Sequence, residues 1–308
     1  MKHLIVLGIM IISVIGSAGP PTNQPYLLIL GIAQDGGYPH IGCERDCCSR
    51  YWKGESERRH PTSFALVDPV THQKWLFEAT PDITHQLHKL EEMVPGGELI
   101  DGIFLTHGHI GHYTGLMHLG KESLNSKNIP VYAMPRMKEY LTNNGPWSQL
   151  VNDKNIVLRP LMADSTINLN DRLAVTPFLV PHRDEFTETV GYHIAGLARS
   201  IIFIPDIDKW EKWNRDIKDM ILDCNVALLD GSFYDGTELP HRDMNEIPHP
   251  FIVESLESFK TMQYPDKQKI HFIHFNHTNP LLNKNDPKYK KLIDDGYNIA
   301  AEGQILKL

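Results

Sequence analysis

Short apolar runs alternate with amphipathic stretches along most of the chain. Continuous or period-two apolar patterns predict strands over residues 26–32, 63–68, 75–78, 100–105, 131–134, 173–180, 200–204, 226–229 and 269–273. Helical spacing predicts helices over 82–93, 115–123, 135–141, 209–222, 250–262 and 286–294, with Asp82 placed to cap the first. The polar turn 69–73 joins two strands into a pair, and the first strand runs into the glycine-rich turn Gln34-Asp35-Gly36-Gly37. No repeat, low-complexity tract or linker breaks the alternation. The pattern therefore predicts one α/β domain over residues 19–308, a two-sheet core covered by helices.

Residues 1–18 follow a different pattern. Lys2 supplies positive charge, residues 4–15 are apolar, and Gly16-Ser17-Ala18 offers small residues for cleavage. A dozen apolar residues fall short of the roughly 20 that span a bilayer. The expectation is a signal peptide, a mature chain starting near Gly19, export to the periplasm or beyond the cell, and no stable membrane insertion after cleavage. Composition narrows the partners. The net charge is −8 with no basic block, which argues against nucleic acid, whose affinity rests on phosphate neutralisation. A small-molecule substrate fits better; the sequence does not give the oligomeric state.

The 17 histidines are the unusual feature. Directly after the apolar segment ending Phe104-Leu105 comes Thr106-His107-Gly108-His109-Ile110-Gly111-His112. Residues two apart on an extended segment project to one side, so His107 and His109 can share a metal ion. His112, where the chain turns to helix, reaches a neighbouring ion, and imidazole is the usual nitrogen ligand of zinc. The cysteines form a second group. Cys43, Cys47 and Cys48 crowd into six positions while Cys224 stands far off. An exported chain with an even cysteine count usually forms disulfides, but neighbouring Cys47 and Cys48 pair badly with each other. The trio reads as part of a thiolate metal site needing one more ligand; a disulfide from Cys224 to one of the trio is the competing outcome.

The histidine segment resembles the H-x-H-x-D-H motif of the metallo-β-lactamase superfamily. Its companions follow in the expected order at strand ends: His182 after Val180-Pro181, Asp206 after Ile204-Pro205, and His274 after Phe272-Ile273. The resemblance implies a four-layer αββα sandwich of the metallo-β-lactamase type. It also implies one metal on His107, His109 and His182, and a second on His112 and His274, with Asp206 bridging. Zinc is the expected ion, with iron or manganese as alternatives. Ala79-Thr80-Pro81-Asp82-Ile83, Leu229-Asp230-Gly231-Ser232-Phe233 and Ile273-His274-Phe275-Asn276 with Thr278-Asn279-Pro280 resemble the pyrroloquinoline quinone biosynthesis protein B branch over nearly the whole mature chain. That branch has lost histidines where His107 and His109 stand here, and tends to have glycine at Asp206. The chain is also similar to phosphoribosyl cyclic phosphodiesterases, which implies a structural zinc on Cys43, Cys47, Cys48 and His277, although the cysteine spacing differs from theirs.

Further expectations follow from the resemblance. His249 matches a loop histidine that protonates leaving groups in phosphodiesterase relatives, though it also reads as a plain helix-entry residue between prolines. Asp82 and Asp230 stand where each would accept a hydrogen bond from a ligand histidine, or simply cap a helix. Gly111 replaces the motif's aspartate, which leaves the second site one carboxylate short and its ion weakly held. Gly111→Asp is then expected to raise occupancy, unless a positive φ requires the glycine. The expected chemistry is hydrolysis of a phosphodiester, lactone or other ester by metal-activated water. The alternatives are an iron-dependent oxygenase or oxidoreductase on the same histidines, and a non-catalytic binding protein on a decayed scaffold.

Overall fold

Apolar runs with no polar alternation become strands buried on both faces. In β1 (Tyr26–Gly31) every residue is buried. Leu27 and Ile29 face one hydrophobic core, while Tyr26, Leu28 and Leu30 face another. The same holds for β2 (Ser63–Asp68) and nearly so for β3 (Gln73–Phe77). With β4 (Gly102–Phe104), β5 (Ile129–Ala133) and β6 (Ile156–Pro160) they form one sheet. The second sheet runs in simple order through β7 (Ile167–Asn170), β8 (Leu173–Leu179), β9 (Val190–Ala195), β10 (Ser200–Ile204), β11 (Val226–Asp230), β12 (Ile270–Ile273) and β13 (Asn298–Ile299). The last strand, β14 (Ile305–Lys307), returns to the first sheet beside β1. This computed structural model describes residues 23–239 and 242–308. The expected signal peptide lies outside them. Among the described residues no helix is long and apolar enough to cross a membrane.

The larger core lies between the sheets. Phe64, Phe77, Phe104 and Tyr132 stack in a row across β2 to β5, with successive ring centroids 4.5, 4.7 and 4.3 Å apart. Tyr192 of β9 meets Phe77 and Phe104 edge-on, and Phe203 of β10 meets Phe64. Such aromatic packing adds roughly 0.5–1.5 kcal/mol per pair beyond burial. The second core packs the outer face of the first sheet against helix Ile83–Met93 through Ile83, Leu87 and Leu90. Helix Ile252–Phe259 contributes Ile252 and Phe259 to the core that holds the second sheet. Two packed sheets with helices on their outer faces make the four-layer αββα sandwich. Strands β3 to β6 run parallel, as do β10 to β13, so both sheets have carboxyl ends from which a site can be built.

Two expected helices differ. The stretch 115–123 instead begins within the 3₁₀ segment Thr114–Leu119, which follows a four-residue helical turn, Ile110–Tyr113. Gly115 donates its N–H to Ala79 O at 2.8 Å, and a Cβ there would lie 2.0 Å from Thr80 O. The chain is drawn onto the loop after β3 too closely for regular α-helix. The stretch 209–222 divides into Trp210–Lys212 and Ile217–Leu222. Between them Trp213 turns inward to donate to Leu179 O, and Asp216 starts the second helix by accepting from Lys218 N. Asp82 stands at the N-cap of Ile83–Met93, yet its side chain makes no capping bond.

Candidate metal centre

Six strands release a polar side chain at or just beyond their carboxyl ends: Glu78 after β3, His107 after β4, His182 after β8, Asp206 after β10, Asp230 in β11 and His274 after β12. They converge. His107, His109, His182 and Asp206 form one group whose ligand atoms lie within 4.8 Å of one another; Asp35, His112, Asp206 and His274 form a second. Asp206 belongs to both. Its Oδ1 is 3.2 Å from His182 Nε2, and its Oδ2 is 3.3 Å from His107 Nε2, 3.5 Å from His112 Nε2 and 3.9 Å from His274 Nε2. Asp35 Oδ1 lies 3.0 Å from His112 Nε2 and 3.7 Å from His274 Nε2.

A metal fits these residues. Both ring nitrogens of His112 and of His182, with His274 Nε2, Asp35 Oδ1 and Asp206 Oδ1, are buried without a hydrogen-bond partner. Each such atom costs about 1–3 kcal/mol unless something satisfies it. Imidazoles and carboxylates gathered this way are the donor set of zinc, iron and manganese. Backbone strain marks the same place. Glu78 has φ +71° and His274 φ +67°, a left-handed region that non-glycine residues enter at a cost and that clusters at functional sites.

Electrostatics separates the roles. Burial, helped by neighbouring His112, holds His107 neutral well below its usual range, and burial pushes His182 down to about 4. Both therefore offer lone pairs at neutral pH. Burial opposes the charge on Asp206, but His182, His249 and His274 outweigh it and keep the carboxyl ionised. Burial likewise works against protonated His112, yet Glu78, Asp206 and Asp35 drive it well above the normal value. A cation at that spot would take the place of the proton.

The neighbours of this centre are also ordered. Thr106 Oγ1 is 2.9 Å from His107 Nδ1. Asp230 Oδ2 lies 2.9 Å from His249 Nδ1, and its carboxylate accepts the N–H groups of Ser232 and Ile207. Ser232 Oγ sits between His249 Nδ1 at 3.2 Å and His274 Nδ1 at 3.0 Å. Burial opposes the charge on His249, but Asp230 and Asp206 raise it to about 9.

Residues 66–275 match the family described as the beta-lactamase superfamily domain. The chain belongs to the beta-lactamase superfamily. Curated relatives include Coenzyme PQQ synthesis protein B of Methylococcus capsulatus, 26% identical over 89% of this chain and 97% of that protein. The Pseudomonas savastanoi pv. phaseolicola protein of the same name is 27% identical, covering 92% and 100%. Among solved structures, the Zn(2+)-bound PqqB from Methylobacterium extorquens has TM-score 0.78 at 24% identity, covering 92% and 100%. A diphosphatase from the PhnP family has TM-score 0.64 at 22% identity, covering 92% and 97%. These likenesses establish the metallo-β-lactamase fold.

On this superfamily scaffold the predicted site residues divide. The structure brings His107, His109, His112, His182, Asp206 and His274 together, with His249 and Asp230 beside them. Asp230 holds His249 rather than one of the six. Asp82 is elsewhere: its carboxylate pairs with Arg58 at 2.6 Å and His60 at 2.7 Å, so it orients none of the clustered histidines. That place beside His112 belongs to Glu78, whose Oε2 is 3.3 Å from His112 Nδ1, outside hydrogen-bond alignment. Asp35 and Glu78 both escape sequence reasoning. Their only signals are a carboxylate beside the Gly36-Gly37 turn and another ending a strand.

The reading of Gly111 needs correction. It lies in the helical turn Ile110–Tyr113 and is not among the positive-φ residues. Space is what forbids a side chain, because a Cβ would lie 2.3 Å from Asp35 Oδ1 and 2.4 Å from Asp35 Cα. The second group therefore does not lack a carboxylate, and Gly111→Asp would collide rather than assist.

Cys43, Cys47, Cys48 and His277 also gather within 4.8 Å. All four cysteines are free thiols, with Cys224 buried beside the helix Ile217–Leu222, so the competing disulfide is not formed. Cys48 Sγ accepts the N–H of His40, while burial and the neighbouring sulfurs push its thiol up to about 12. Three sulfurs this close ionise together only beside a cation.

Proposed function

We propose that the protein is an exported, metal-dependent hydrolase of a small-molecule phosphodiester, lactone or other ester. The observation that supports this most is the set of buried, unpartnered imidazole and carboxylate atoms converging on Asp206. His107, His109 and His182 would hold an ion with Asp206, zinc being the first choice for this donor set. The ion would lower the pKa of a bound water toward about 7 and polarise the substrate oxygen. The remaining work falls to the chain. Asp230 fixes the proton of His249 on Nδ1, which leaves Nε2 as the nitrogen that exchanges a proton with a leaving group. Glu78, its carboxyl raised by burial, stands behind the His112 ring with Oε2 3.3 Å from Nδ1 and lends it negative charge when ionised. The net charge of −8 favours a small substrate over nucleic acid, and residues 1–18 support export. Cys43, Cys47, Cys48 and His277 would hold a separate, closed zinc.

A panel of bis(p-nitrophenyl) phosphate, p-nitrophenyl butyrate and a homoserine lactone tests this reading. Turnover of one class is expected, abolished by chelator, restored by zinc or manganese, and cut at least about 100-fold in His107→Ala. Metal-loaded protein that turns over none of the three, or that consumes oxygen only when loaded with iron, overturns it.

A further inference from the structure

We propose that Asp35 is a metal ligand of the second group, and that it supplies from the loop after β1 the carboxylate that position 111 cannot carry. The proposal rests on the metal-holding part of the reading above, not on hydrolysis. Its basis is geometric. The Asp35 loop is stitched to the chain beside His274: Gln34 N donates to Phe275 O and Phe275 N donates to Ile32 O, both at 2.8 Å. The turn closes with Gly37 N donating to Gln34 O at 2.7 Å. These bonds deliver the carboxylate next to His112 and His274. Oδ1 itself is buried with no hydrogen-bond partner, as are His112 Nε2 and His274 Nε2, the two nitrogens it faces at 3.0 and 3.7 Å.

Gly111 completes the argument. The space its side chain would enter is filled by Asp35, whose Oδ1 and Cα lie 2.3 and 2.4 Å from the Cβ position. The carboxylate that stands against His112 and His274 therefore comes from residue 35 and not from residue 111. The glycine is the vacancy that Asp35 fills, and the second ion keeps a full set of donors: Asp35, His112, His274 and shared Asp206.

The test is metal binding by full-length protein stripped of metal, titrated with zinc by calorimetry and checked by elemental analysis. Asp35→Asn keeps the shape and removes the charge. It should lose one zinc equivalent, or weaken it at least about tenfold, because even groups one step behind a ligand cost 10–100-fold. Asp35→Ala should do the same, and no side chain at position 111 can replace the lost one, because residue 35 keeps its Cα 2.4 Å from the Cβ position there. Gly111→Asp alone should lower both occupancy and melting temperature. Wild-type stoichiometry and affinity in Asp35→Asn overturn the proposal. So does a lower melting temperature of its metal-free form with zinc binding unchanged, which would make Asp35 a mere ion-pair partner of His112. Because hydrolysis is not the readout, an inactive protein that still loses its zinc in Asp35→Asn sinks the hydrolase reading and leaves this one standing.

Discussion

The two groups of metal-ligating side chains sit on opposite kinds of ground. Between β1 and β2 the chain has one helix, Asp46–Trp52, of whose residues only Cys48 is buried, and it leaves Ile41 89% and Trp52 71% exposed. Within residues 40–60 only Cys48 is buried, and buried Tyr38 reaches over to donate its hydroxyl to Cys47 O at 2.6 Å. Cys43, Cys47 and Cys48 reach His277 across 229 positions or more, so four bonds to one ion would do there what a core does elsewhere. The histidine–aspartate centre is the reverse. Its ligands stand on strand ends already fixed by two sheets packed through Phe64, Phe77, Phe104, Tyr192 and Phe203. In one group a bound ion would hold the fold, and in the other the fold already holds the side chains. Damage to the first should appear as instability, and damage to the second as lost binding or chemistry.

The sharpest break in that contrast is Cys47→Ser. It should release the segment rather than the domain, because the sheets do not depend on it. Limited proteolysis between residues 40 and 60 is expected to speed at least about 100-fold, as a local opening that was metal-locked becomes accessible. Chelation should do the same to the wild type. Cleavage at the wild-type rate in both cases would mean that the trio contributes nothing to holding the loop.

Asp230→Asn probes the other group more gently. The amide oxygen can still accept from Ser232 N, but the amide NH2 then faces the N–H of Ile207 and Nδ1 of His249, so the bonds that Oδ2 accepts are lost. Turnover should fall 10–100-fold, mostly in kcat, with zinc content near wild type and the melting temperature lowered by the buried bonds lost at Oδ2. A drop in zinc content instead would place Asp230 among the ligands' supports and take the proton role from His249.

The contrast also explains what the sequence shows. Strands buried on both faces announce themselves as apolar runs, and 63–68 and 200–204 match the observed bounds. The histidine triplet is equally plain, since three imidazoles in six residues have few other uses. Shorter or more mixed strands are harder to see. β7, Ile-Asn-Leu-Asn, lies at a sheet edge, and in buried β9 the apolar Val190, Tyr192 and Ile194 alternate with Gly191 and His193 over only six residues. Asp35 is hidden for a different reason. A single carboxylate has no spacing to betray it, and it joins His274 only because residues 32–34 and 275 are tied together across some 240 positions. Position 111 misleads by itself, and its meaning emerges only when the Asp35 backbone is found pressed against it.

The smallest effect should come from Asp82→Asn, which asks whether a polar residue near the centre but outside it behaves as part of the scaffold. Burial alone would raise the Asp82 carboxyl, but His60 and Arg58 hold it below its ordinary value. A carboxyl lowered in the folded state stabilises the protein above the unfolded value near 3.8 and stops doing so as pH falls through the lowered one. With Arg58 43% exposed, solvent screening limits the pair to about 0.5–1 kcal/mol. Asp82→Asn should therefore cost that much in denaturant unfolding at pH 7, with the wild-type advantage fading below pH 3.8 as the aspartate protonates. Hydrolysis and zinc content should stay at wild-type levels, because no clustered histidine touches this carboxylate. A tenfold loss of turnover at unchanged stability would reverse the assignment and make Asp82 part of the centre rather than of the scaffold.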